Sequence, residues 1–74
     1  MSFSEEIKKV RKKAFLTQMM FAKEINVSFS TVNRWENGKG NPNLSAMKAI
    51  KRFCESHEIP YKDLEAEWFN SPSK

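Results

Sequence analysis

The side chains best suited to specific chemistry in this sequence are an amide and a guanidinium next to each other, Asn33 and Arg34. Asparagine can form paired hydrogen bonds with adenine, and arginine with guanine, when a helix carries them into the DNA major groove. Phe29 and Thr31 precede them and offer apolar contact to a thymine methyl group, with Ser30 in between. These residue types favour a role in reading base edges. The alternative interpretation of Phe29 is that it is a core residue.

Catalytic and metal-binding chemistry finds little support in the sequence. The chain has one cysteine, Cys54, and one histidine, His57, so it can form neither an internal disulfide nor a usual zinc site. Glu5 and Glu6 are adjacent acids that do not converge, and no glycine-rich phosphate loop or nucleophile–base set is present. We therefore expect no enzymatic activity, no metal and no cofactor.

Length and hydropathy limit the chain to one small domain. Its 74 residues, 39% of them hydrophobic, can bury only a compact core, which excludes a large pocket between two domains. The longest apolar run is residues 19–22, far below the roughly 20 residues of a membrane helix, and the N-terminus lacks the order of a secretory signal. We expect one domain over residues 1–70, a flexible tail over 71–74, a cytoplasmic location and no membrane contact.

Charge is distributed unevenly along the chain. Up to Arg52 the sequence has eleven basic and four acidic side chains, whereas the remainder has two basic and five acidic ones. A basic body with an acidic end suits a polyanionic partner that approaches from one side. A solvated surface of mixed charge is the competing interpretation, and it is the favoured one for Lys8, Lys9, Lys12 and Lys13.

Helical spacing of apolar residues provides the elements that must position these side chains. The first stripe, capped by Ser2 or Ser4, consists of Phe3, Ile7, Val10 and Ala14. The apolar stripe of the fourth predicted helix, which Asn43 caps, consists of Leu44, Met47, Ile50 and Cys54. A last short helix contains Tyr61, Leu64 and Trp68 and ends near Phe69. No segment alternates with period two, so the predicted fold class is all-α with five short helices.

The second and third predicted helices each begin at a polar cap and end at a residue suited to a sharp stop. Thr17 caps the second helix and Asn26 ends it, while Ser28 caps the third, which extends to Asn37-Gly38. Only about three residues separate the two helices, which is typical of a helix-turn-helix. Its second helix, residues 28–37, would present a polar face to solvent.

The residues of this junction resemble a known family. Residues 17–42 follow the pattern TQxxFAxxINVSxSTVxxWENGxxxP, which is similar to the Cro/CI (XRE) family of helix-turn-helix regulators. The resemblance extends over roughly residues 7–56. It implies a lambda-repressor-like domain of five helices that binds double-stranded DNA, is usually dimeric on DNA, and acts as a bacterial or phage repressor or regulator.

The resemblance also implies roles for individual residues. Arg11 and Glu36 match an ion pair that ties the first helix to the end of the third. Glycine is common in the family where Phe15 and Asn26 stand, and only Asn26 adopts the left-handed conformation at low cost. The positions that match base-reading or phosphate-anchoring residues, together with Thr31 from the chemistry above, are Gln18, Ser28, Phe29, Ser30, Thr31, Asn33, Arg34, Asn37, Lys39 and Asn41.

A protein-interaction module is the alternative function. Antitoxins of toxin–antitoxin pairs use the same type of domain to bind a partner protein as well as their own operator. Met19 and Met20 stand where the family usually has polar residues, and they either cover the side of the domain or meet a partner. The acidic, aromatic end of the chain offers a second such surface, although Leu64 and Trp68 are favoured as core residues.

Overall fold

The computed structural model describes residues 2–70, which form five α-helices and contain no strand. The all-α prediction is therefore confirmed for these residues, whereas the predicted flexible tail, residues 71–74, lies outside them. The helices are α1 (Phe3–Lys13), α2 (Gln18–Glu24), α3 (Phe29–Glu36), α4 (Leu44–Ser56) and α5 (Lys62–Phe69). Among the described residues, none of the helices has the length and apolar character needed to cross a bilayer.

A side chain caps the N-terminus of each of the first four helices. Ser2, Thr17, Ser28 and Asn43 each accept a hydrogen bond from the backbone N–H three residues further on. The backbone N–H of Ser2 also donates the reciprocal bond to the Glu5 carboxylate, which completes a capping box, so Ser2 and not Ser4 is the cap of α1. These caps satisfy backbone donors that the helix itself cannot pair, which fixes where each helix begins.

The first four helices also end in the same way. Phe15, Asn26, Gly38 and Glu58 have φ values between 56° and 72°, and the N–H of the next residue bonds to the carbonyl five positions earlier. This is the Schellman arrangement. Asn26 adopts the expected left-handed conformation, and Phe15 adopts it too, despite the steric cost, with its ring 93% exposed.

The core draws on every helix. Its most deeply buried large side chains include Ile7, Phe21, Val32, Ile50 and Leu64, one from each helix in order. One predicted inward position is wrong. Leu44 is 61% exposed because it is the first residue of α4, where the helix has only begun to approach the core.

The last helix is tied to the loop that follows α3. Leu64 and Trp68 are buried, and the indole N–H of Trp68 donates a 2.8 Å hydrogen bond to the carbonyl oxygen of Pro42. Pro42 is itself fully buried. The contact fixes the loop of residues 37–43 against the body of the domain, next to the end of α3.

Candidate nucleic-acid interface

The sharp turn between α2 and α3 determines how α3 sits on the domain. Asn26 has φ of 61°, and the N–H of Val27 bonds to the carbonyl of Ala22 at 2.9 Å. One face of α3 then packs inward through Val32 and Trp35, which are 0% and 5% exposed. The opposite face of α3 is left at the surface of the domain.

The exposed face of α3 carries most of the predicted reading residues. Phe29, Ser30 and Arg34 are exposed, whereas Thr31 and Asn33 are half-buried. The alternative that placed Phe29 in the core is wrong, because its side chain is 47% exposed. The face thus combines hydroxyl, amide, guanidinium and aromatic groups, which together can pair with base edges or contact a thymine methyl group.

Three hydroxyl groups cluster at the N-terminus of α3. The Oγ of Ser28 accepts from the backbone N–H of Thr31 at 3.2 Å and also hydrogen-bonds to the hydroxyls of Ser30 (3.2 Å) and Thr31 (2.8 Å). Ser28 is therefore first a helix cap. Each hydroxyl still offers further hydrogen-bonding capacity to a phosphate oxygen, and the N-terminal end of a helix favours an anion.

An ion pair anchors the C-terminal end of α3 to α1. The Nε of Arg11 lies 2.6 Å from Oε2 of Glu36, and its Nη2 lies 2.9 Å from Oε1. The remaining Nη1 donates to the carbonyl of Leu16 at 2.9 Å, in the turn between α1 and α2. The hydrogen bonds that Arg11 donates to Glu36 raise the pKa of the Arg11 guanidinium. This pair joins α1, the α1–α2 turn and α3.

Three of the predicted DNA-contacting amides are linked to this ion pair. Nε2 of Gln18 donates to Oε1 of Glu36 at 3.0 Å, and Oε1 of Gln18 accepts from Nδ2 of Asn33 at 3.1 Å. Oδ1 of Asn33 in turn accepts from Nδ2 of Asn37 at 3.0 Å. The structure thus brings together residues from the start of α2, from α3 and from the C-cap of α3.

The loop after α3 lies beside Arg34. A Cβ atom at Gly40 would stand 3.2 Å from Nη2 of Arg34, so the glycine leaves room for the guanidinium against the loop. Lys39 is exposed on this loop and Asn41 is half-buried. Arg34, Thr31 and Asn41 line one open groove of about 580 Å³ between α3, the loop and α4.

The groove contains basic residues that sequence reasoning missed. Lys48 and Arg52 from α4 lie along it with Ser45. The spacing of 45, 48 and 52 places all three on one helix face, so this signal was present in the sequence. They add two exposed positive charges next to the predicted reading face, where a phosphate backbone would be attracted.

The part of the chain that the structure describes has no cluster of metal ligands and no reactive thiol. Residues 2–70 contain no group of three or more histidine, cysteine or acidic side chains placed to hold a metal ion. Cys54 is fully buried, and burial raises the pKa of its thiol to about 11. The thiolate is the nucleophilic form, so Cys54 is a core residue with suppressed reactivity.

Comparison with known proteins agrees with this geometry. A helix-turn-helix family model matches residues 7–58, which include the whole of α2, α3 and α4. The HTH-type transcriptional activator BcrR of Enterococcus faecalis is 38% identical over 53 residues, equal to 72% of this chain and 26% of the relative. The chain thus spans about a quarter of the length of that relative. No solved structure gives a significant match.

Proposed function

This chain belongs to the XRE-type helix-turn-helix family, and from that premise we propose that it binds double-stranded DNA sequence-specifically and regulates transcription. One observation carries the proposal. α3 is held in the core by Val32 and Trp35 while Ser30 and Arg34 on its other side remain exposed. A helix fixed on one side and polar on the other has the form that enters a major groove.

In the proposed complex, α3 lies in the major groove and α2 crosses the sugar-phosphate backbone. Arg34 pairs with a guanine edge and Asn33 with an adenine edge, while Phe29 and Thr31 approach a thymine methyl group. Ser30 also faces the base edges. Phosphate oxygens are contacted from the start of α2, the cap of α3, the loop after α3 and α4, through Gln18, Ser28, Asn37, Lys39, Asn41, Lys48 and Arg52.

We further propose that residues 1–70 form a single DNA-binding domain that acts as a homodimer on DNA. Two copies related by a two-fold axis would place their α3 helices in successive major grooves, about 34 Å apart. In this complex the basic body of the chain would face the duplex and the acidic region after Arg52 would face away from it, because a polyanion attracts the first and repels the second. The preferred site would therefore be a palindrome of two half-sites.

The sign of regulation remains a prediction. The resemblance to the Cro/CI family implies a repressor or regulator, of which we propose a repressor, whereas the relative from Enterococcus faecalis is described as an activator. Transcription in vitro from a promoter that carries the selected site, with increasing protein, decides between them. A fall in transcript with occupancy supports repression, and a rise supports activation.

Selection of bound sequences from a random duplex pool tests the proposed function. We expect an enriched motif with two-fold symmetry, and we expect the enriched duplex to outcompete a shuffled duplex of the same composition. Single strands of the enriched sequence serve as the matched control, because they lack the major groove and should compete poorly. Recovery of no motif would contradict sequence-specific binding.

An antitoxin-type module is the second candidate, and the exposed apolar side chains favour it. Phe15, Met19, Met20 and Phe69 are between 49% and 93% exposed, and exposed apolar side chains that form a patch mark interaction sites in many proteins. Co-expression with the product of the neighbouring gene tests this function. A stoichiometric complex that persists without DNA supports it, and purification of the chain alone argues against it.

A further inference from the structure

A continuous chain of side-chain hydrogen bonds runs from the buried ion pair to the predicted reading face. It starts at the carboxylate of Glu36, passes through the amides of Gln18 and Asn33, and ends at the amide of Asn37. The three links measure 3.0, 3.1 and 3.0 Å. Glu36 is 6% exposed, whereas Asn37 is exposed, so the chain connects the interior with the surface.

Which group donates and which accepts in each of these hydrogen bonds is determined by Glu36, at the buried end of the hydrogen-bond chain. The carboxylate of Glu36, paired with Arg11, has only acceptor oxygens, so Gln18 must turn its nitrogen toward it. The oxygen of Gln18 then faces Asn33, which must present its nitrogen in return. Turning either amide over would set oxygen against oxygen or nitrogen against nitrogen, and a hydrogen bond would be lost.

This direction matters because the orientation of an asparagine amide decides which base edge it matches. Adenine offers an acceptor and a donor side by side, which an asparagine matches with its nitrogen and oxygen in one order only. The hydrogen-bond chain uses one N–H of Asn33 Nδ2 and one lone pair of Asn33 Oδ1. Nδ2 has a second N–H and Oδ1 has a second lone pair. A base edge could pair with these second sites without breaking the hydrogen-bond chain.

We propose that Glu36, acting through Gln18, fixes the orientation of the Asn33 amide and thereby sets the base preference at the position that Asn33 reads. Glu36 and Gln18 are positioning residues in this role, and neither needs to touch a base. The proposal rests on the proposed function. It adds a second role to Gln18, whose other N–H remains able to bind a phosphate oxygen.

The first arm of the test uses the free protein, so its result does not depend on DNA. Gln18→Met keeps the length of the side chain and a similar helix propensity but removes both hydrogen bonds. In NMR spectra we expect the side-chain NH₂ protons of Asn33 to exchange with water about threefold to tenfold faster in this variant. Asn43, whose amide oxygen caps α4, is the internal control and should be unchanged. Unchanged exchange at Asn33 would overturn the proposal.

The second arm compares duplexes selected by the wild-type protein, Gln18→Met and Asn33→Ala. We expect Gln18→Met to lose about tenfold of its preference at the base pair where Asn33→Ala also loses preference, and to keep the other positions. A uniform loss of affinity with an unchanged base profile would show a phosphate contact only, and would overturn the positioning role.

Two controls keep the outcomes distinct. A thermal melt verifies that Gln18→Met is folded; if it is not, Gln18→Ala replaces it, because it also removes both hydrogen bonds of Gln18 and keeps a residue that favours a helix. If the wild-type protein selects no duplex, the proposed function and this inference both fail. If it selects one whose profile is the same in the variant, only the inference fails.

Discussion

Arg11 and Glu36, 25 positions apart, are joined by two hydrogen bonds of 2.6 and 2.9 Å that connect α1 with the last residue of α3. The Glu36 carboxylate also accepts the amide of Gln18 at the start of α2. This buried carboxylate of α3 therefore contacts two further helices, α1 and α2. Because both helices of the helix-turn-helix meet at this carboxylate, the pair fixes the orientation of α3 relative to the core.

Replacement of Arg11 by methionine should destabilise the fold strongly. The substitution leaves the buried carboxylate of Glu36 without its cation, and breaking a buried pair in this way costs about 3–5 kcal/mol. Urea denaturation followed by circular dichroism measures the change in the free energy of unfolding. Lys12→Met, an exposed neighbour on the same helix, should change it by less than about 0.5 kcal/mol. Equal stability of the two variants would show that the pair has no structural role.

Replacement of Phe15 by glycine should stabilise the fold. Phe15 is held at φ 59° with a ring that is 93% exposed, so little packing is lost and the steric cost of about 1 kcal/mol is relieved. For a domain of this size the melting temperature should rise by about 4–8 °C. Phe15→Ala separates the backbone effect from loss of the ring, and it should not give this rise. A lower melting temperature for Phe15→Gly would show that the exposed ring stabilises the fold.

Stability should fall at alkaline pH because of Cys54. Burial raises the pKa of this thiol from its ordinary 9.0 to about 11, so between these values the unfolded chain has released the proton while the folded one retains it. The unfolded state then binds fewer protons, and the free energy of unfolding decreases as pH rises from 9 to 11.

Cys54→Ala provides the comparison for this titration, since it removes the thiol from both states. Across pH 9 to 11 the wild-type protein should lose more stability than the variant, whatever the offset between them at pH 7. Parallel curves for the two proteins would contradict the assignment. At pH 8 the native thiol should also react with a soluble disulfide reagent much more slowly than the thiol in denaturant.

Affinity for the selected duplex should decrease steeply with added salt, because lysine and arginine side chains displace counterions from phosphates. Arg52→Ala should lower the affinity for every duplex by the same factor and reduce the slope of log affinity against log salt by about 1. Fluorescence anisotropy at several salt concentrations measures both quantities. A slope unchanged by the substitution would place Arg52 outside the interface.

The helices could be predicted from the sequence because the residues that begin and end them act locally. Thr17, Ser28 and Asn43 cap the helices where polar residues precede apolar stripes, and Asn26 ends α2 as its backbone tolerance suggested. Leu44 was misplaced because a periodic stripe does not show where the helix first reaches the core.

Long-range contacts were less accessible from the sequence. The resemblance to a family implied the pairing of Arg11 with Glu36, but the extension of that pair through Gln18 to Asn33 depends on side-chain directions in three dimensions. The left-handed conformation of Glu58 also carried no signal, since glutamate is not a residue that favours it. Hydrogen-bond networks between helices and unfavourable backbone conformations become visible only when the whole chain is assembled.

The base profile of Arg34→Ala tests the central claim, that the exposed face of α3 reads DNA, most directly. Binding of the selected duplex and of its single-base variants is measured for the wild-type protein, for Arg34→Ala and for Lys62→Ala, which removes the same charge from α5. We predict that Arg34→Ala loses about 1–3 kcal/mol and its preference at one base pair of each half-site, while Lys62→Ala keeps the wild-type profile. Unchanged affinity and an unchanged profile for Arg34→Ala would contradict the account.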